Sequence, residues 1–88
     1  MVAKTIHGEQ SYDRLTLNDP ALNATIGSRI SAVRTAKGLT QKELGAQVGM
    51  PATKLSKVEN GNNPIPVSAL VRIAKALETD LNWICGLK

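Results

Sequence analysis

The run from Leu39 to Gly61 limits the folding of this 88-residue chain more than any other, because its caps and breakers divide it into two short helices meeting at one glycine. Thr40 can accept from the backbone of a helix starting at Gln41, and Glu43 three residues later completes a reciprocal T-x-x-E capping box. Leu44 and Val48 give that helix one apolar face. Gly49 can take the positive φ that ends a helix at Val48 and turns the chain sharply. Pro51, whose missing N–H costs nothing in a first helical turn, opens a second helix to about residue 59 with Leu55 and Val58 facing inward. Met50 plugs the turn. Gly45 supplies a small residue where the two helices cross, although glycine costs about 1 kcal/mol against alanine inside a helix.

Two helices joined this way form the layout that seats a helix in the DNA major groove. The charge agrees with it. Of a formal net charge of +4, residues 1–25 hold two basic and three acidic groups, whereas residues 26–88 hold nine basic and four acidic. Between Ile26 and Lys57 stand Arg29, Arg34, Lys37, Lys42, Lys54 and Lys57 against the single acid Glu43, a balance that favours a polyanionic partner. At 42% hydrophobic content the chain suits one small domain with a modest core. The lone Cys85 can form no internal disulfide, which fits a reducing compartment, and no apolar run approaches a membrane span. A cytoplasmic protein is expected, with no role for a membrane.

Residues 1–18 show no helical period and form an N-terminal arm, either a flexible tail or a segment that wraps DNA or a sister subunit. Residues 19–88 form the domain. Asp19-Pro20 starts a first helix in which Ile26, Ile30 and Val33 repeat at helical spacing, closed by Gly38 after Lys37. Asn60 to Pro66 is rich in turn formers and reads as a loop. Val67, Leu70, Val71, Ala74 and Leu77 define a fourth helix, and Asp80 caps a short fifth carrying Leu81, Ile84 and Cys85. The expectation is an all-α fold of five helices without a strand.

These pieces together resemble the lambda-repressor-like, Cro-repressor-type (XRE) helix-turn-helix family of phage and bacterial regulators, over Ile26 to Cys85. The likeness rests on Leu39-Thr40-Gln41, Val58-Glu59-Asn60-Gly61, Ile73-Ala74-Lys75-Ala76-Leu77 and Leu81-Asn82-Trp83-Ile84 as well as the turn itself. It implies a five-helix lambda-repressor-like DNA-binding domain. By the resemblance, Gln41 clamps a phosphate at the start of helix 2, where the helix dipole and N–H groups favour an anion. Ala52, Thr53 and Lys57 sit where the family's recognition helix meets base edges. Thr53 can offer a hydroxyl or methyl, Lys57 can donate to guanine, and Ala52 can touch only a thymine methyl where many relatives carry glutamine. Lys54 and Ser56 flank that face and position the helix on phosphates. Asn62 and Asn63 match a phosphate-facing loop, although asparagine favours turns in any case. Arg34 and Glu59 match an ion pair between helix 1 and the end of helix 3.

The function implied is a sequence-specific transcriptional regulator, a repressor, acting as a homodimer on a palindromic operator with half-sites about 34 Å apart. Leu81, Trp83, Ile84 and Leu87 are candidates for the dimer patch, or they close the core. Trp83, beside Leu81 and Ile84, suits packing better than base stacking. A rival reading is an antitoxin or anti-regulator that sequesters a protein partner such as a toxin through residues 1–25; a restriction-modification controller is a further DNA-binding variant. A chain ending just past a fifth helix is expected to lack a separate ligand-sensing domain. His7 and Cys85 make a poor nucleophile–base pair, too few Cys and His ligands exist for a zinc cluster, and no phosphate-loop glycine motif is present. No catalytic residue, metal or cofactor is expected.

Overall fold

Asp19 holds the first helix by its carboxylate, which accepts from the N–H groups of Ala21 and Leu22 at 3.0 and 3.1 Å with Pro20 at the first helical position. The computed structural model describes residues 16–17 and 19–87. Its helices are α1 (Pro20–Ala36), α2 (Gln41–Val48), α3 (Ala52–Glu59), α4 (Val67–Leu77) and α5 (Leu81–Ile84). The capping box of α2 closes both ways: Glu43 N–H donates to Thr40 Oγ1 at 3.0 Å, and Thr40 N–H donates to Glu43 Oε1 at 2.8 Å. Gly49 ends α2 at φ 73°. Helix α3 starts one residue later than expected, because Pro51 keeps an extended ψ of 149° and serves as the cap position. Its carbonyl accepts from Leu55 N–H at 3.0 Å.

The end of α3 is set by Gly61, at φ 74°, whose N–H bonds the Val58 carbonyl at 3.0 Å while Asn62 N–H bonds that of Lys57 at 2.9 Å. Helix α4 ends differently. Glu78 occupies the left-handed position at φ 54°, the sole non-glycine residue with positive φ among those described. A side chain there crowds its own carbonyl. Glu78→Gly is therefore expected to raise stability by about 0.5 to 1 kcal/mol in a urea titration. The exposed Lys37–Glu78 pair at 3.5 Å, lost in that variant, offsets little of the gain.

The apolar stripes meet in one core. Ile26 and Ile30 of α1, Leu44 and Val48 of α2, Leu55 and Val58 of α3, and Leu70, Ile73 and Leu77 of α4 are all buried. Two small residues let the backbones approach. A Cβ on Gly45 would lie 2.2 Å from the Met50 carbonyl oxygen, so the clearance serves the turn itself. One on Gly27 of α1 would lie 2.3 Å from the Val58 oxygen and 2.5 Å from that of Glu59, at the end of α3.

The expectation of no strand is corrected. β1 (Thr16–Leu17) and β2 (Ile65–Pro66) pair antiparallel, Thr16 opposite Pro66 and Leu17 opposite Ile65. The stretch expected as loop from Asn60 to Pro66 thus ends in a strand whose Ile65 is fully buried. Two residues carry no readable period, and the fold remains all-α. Of the arm expected over 1–18, residues 1–15 and 18 lie outside the described residues, and Thr16–Leu17 belong to this pairing.

Candidate nucleic-acid interface

Successive side chains on α3 turn by about 100°. Leu55, Val58 and Glu59 take the inward side, and Thr53 and Lys57, four residues apart, project opposite them and are exposed. Lys54 is exposed on one flank; Ala52 and Ser56 are half-buried on the other. Asn60, exposed just past the helix, continues the outward strip three residues after Lys57. It was legible only as part of a helix ending.

Glu59 turns inward at the end of α3, its side chain 4% exposed. Its Oε2 accepts from Arg34 Nε at 2.6 Å, and its Oε1 accepts from Arg34 Nη2 and from Gln41 Nε2, both at 3.0 Å. Arg34 Nη1 also donates to the Leu39 carbonyl at 2.7 Å. Three helices therefore share one carboxylate. Hydrogen bonding to Glu59 raises the Arg34 guanidinium above its ordinary pKa, opposed by burial and aided by the carboxylate's charge. The ion pair of Arg34 and Glu59 stands as expected; the bond from Gln41, at the first position of α2, had no signal in the sequence.

The structure sorts the basic residues. Arg34 is spent on Glu59, Lys37 lies near Glu78, and Arg29 stacks over the Trp83 ring at 4.7 Å while its Nη1 donates to the Trp83 carbonyl. Lys42, Lys54 and Lys57 are exposed and enter neither ion pair found among the described residues. These three carry the positive field of the α2–α3 face. Asn62 is exposed and Asn63 half-buried in the turn directly after Gly61, beside the end of α3.

The expected dimer patch divides. Leu87 is 75% exposed, and Leu81 and Trp83 are half-buried against the core. Ile84 is 0% exposed and is removed from the patch, because it faces the core where α5 meets α1 and α4. Trp83, expected in the core, packs only its inner side there and offers its ring to Arg29. Burial pushes the Cys85 thiol up, the opposite of an activated nucleophile, and His7 lies outside the described residues. No helix among the described residues is long and apolar enough to cross a membrane.

Residues 30–84 match the family model described as helix-turn-helix. An uncharacterised HTH-type transcriptional regulator of Rickettsia conorii is 34% identical over 62 residues, which is 70% of this chain and 50% of that protein. The cryptic phage CTXphi transcriptional repressor RstR of Vibrio cholerae is 33% identical over 61 residues, 69% of this chain and 54% of its own. The chain spans about half the length of the curated relatives it matches. Among solved structures, the restriction-modification controller protein C.AhdI from Aeromonas hydrophila aligns at a TM-score of 0.69 and 28% identity, covering 73% of this chain and 97% of that one. The hypothetical transcription factor NHTF from Neisseria aligns at 0.69 and 30% identity, covering 78% and 80%.

Proposed function

Because this chain belongs to the helix-turn-helix family, we propose that it is a sequence-specific double-stranded DNA binder that represses transcription, with α3 in the major groove. One observation carries the reading: Thr53 and Lys57 share the outward strip of a helix whose opposite side is locked into the core. A helix held on one side can present the other at a fixed tilt. Ala52, Thr53 and Lys57 read bases, and Gln41, Lys54, Ser56, Asn62 and Asn63 meet phosphates. A single helix offers little specific area, so the chain works as a homodimer on a palindrome, with Leu81, Trp83 and Leu87 in the contact. The cytoplasm is its place of action.

A second reading, the controller of a restriction-modification system, draws support from C.AhdI, 97% of which is covered by the match. It uses the same surface, and a methylase and nuclease gene alongside would favour it.

Selection of bound duplexes from a random pool tests the proposal; enrichment of a palindrome is the expected result, and no enrichment at low ionic strength overturns it. On the selected duplex, Thr53→Ala should relax preference at one base position by about 1 to 3 kcal/mol. Lys54→Ala should weaken binding to selected and random duplexes alike and lower the salt slope by about one. Equal losses on both duplexes for both variants would contradict this division of roles.

A further inference from the structure

Resting on the DNA-binding reading above, we infer that Glu59 is a positioning residue that orients the Gln41 amide toward a backbone phosphate before any duplex arrives. The observation is the shared Oε1 of Glu59, which takes Gln41 Nε2 and Arg34 Nη2 at 3.0 Å each. A carboxylate only accepts, so it selects the nitrogen of the glutamine amide and rejects its oxygen. The flip state of Gln41 is thereby fixed. With one amide N–H given to Glu59, the second is left to donate. A freely turning amide would present its oxygen to an anion half the time and would lose rotamer freedom on binding. Here that ordering is complete in advance.

The arrangement needs Arg34. A bare carboxylate beside a phosphate would repel it, whereas Arg34 binds both Glu59 oxygens and cancels the charge. The side chain of Glu59 is 4% exposed, which keeps water from competing for the same oxygen. The backbone of α2 points the same way: Gln41 is its first residue, held by the Thr40–Glu43 box, where the helix dipole favours an anion. Glu59 therefore acts through Gln41 and touches no nucleotide itself.

The test is ethylation interference on the duplex that the wild-type chain enriches from a random pool. Gln41→Ala and Glu59→Gln should both bind about tenfold more weakly, and both should lose sensitivity at the same single phosphate of each half-site. Weaker binding by Glu59→Gln with the full phosphate pattern retained, or with losses spread over the duplex, overturns the inference and leaves Glu59 a fold staple only. Should Glu59→Gln fail to fold, the double variant Arg34→Met, Glu59→Met removes both charges together and is held to the same outcome. A second readout needs no DNA. In the wild-type chain the Gln41 side-chain N–H that faces Glu59 should be shifted downfield from a free glutamine amide and slowed in exchange with water, and both features should be lost in the Glu59 variant; a Gln41 amide with free-glutamine shift and exchange in the wild type overturns the placement. Enrichment of no duplex overturns the DNA-binding reading together with this role, whereas an enriched duplex with an unaltered phosphate pattern overturns the role alone.

Discussion

Gly27→Ala is expected to cost about 3 kcal/mol, seen as a large fall in the urea midpoint with an unchanged slope. The added methyl would sit 2.3 Å from the Val58 carbonyl oxygen and 2.8 Å from the Glu59 carbonyl carbon. Both obstacles are backbone, so no rotamer change relieves them. Helix α1 must lift from the end of α3, pulling Ile26 and Ile30 away from the core. A domain of this size has about 5 to 10 kcal/mol in total, so the loss is a large fraction of it. Helix propensity alone argues the other way, since alanine exceeds glycine by about 1 kcal/mol inside a helix. The sign of the change therefore decides between packing and propensity: a variant as stable as the wild type would show that α1 and α3 do not approach as described.

Glu59→Ala should be the more damaging of the two, at about 3 to 5 kcal/mol in all, because it takes the counter-charge from the largely buried Arg34 guanidinium and the acceptor from the Gln41 amide. Replacing Arg34 and Glu59 together by methionine should recover most of that loss. The contrast between the single and the double change is the measurement, read from chemical denaturation of all three chains. If both cost the same, the carboxylate is not the shared acceptor that joins α1, α2 and α3.

The helix boundaries were legible where the chemistry is local. Thr40 and Glu43 lie three residues apart, and both halves of their box depend on nothing beyond that turn. Gly49 likewise signals its own conformation. Gly27 shows the limit: its reason for being glycine is a pair of carbonyls more than thirty residues away, and nothing near it in the chain records them. The Gln41–Glu59 bond joins residues 18 apart and was invisible for the same reason. Ile84 could not be assigned to core or surface because a four-residue helix barely exceeds one turn. The β1–β2 pairing is shorter still, and Pro66, which cannot donate to a ladder, argued against it locally. On α3 spacing was enough to place Leu55 and Val58 on the inward side, where both are buried, whereas the outward residues were assigned by the family resemblance. Charge was over-read, because a tally of lysines and arginines cannot tell Lys57, exposed, from Arg29, held over Trp83.

That last contact gives the molecule a built-in optical reporter. Trp83 is the chain's only tryptophan, and its indole lies 4.7 Å beneath a cation carried by α1. Emission from this ring senses the docking of α5, while far-ultraviolet dichroism is dominated by the longer helices. Coincident melting of the two signals would mean that α5 detaches only when everything unfolds; an earlier change in emission would mark the C-terminal turn as a separately fraying unit.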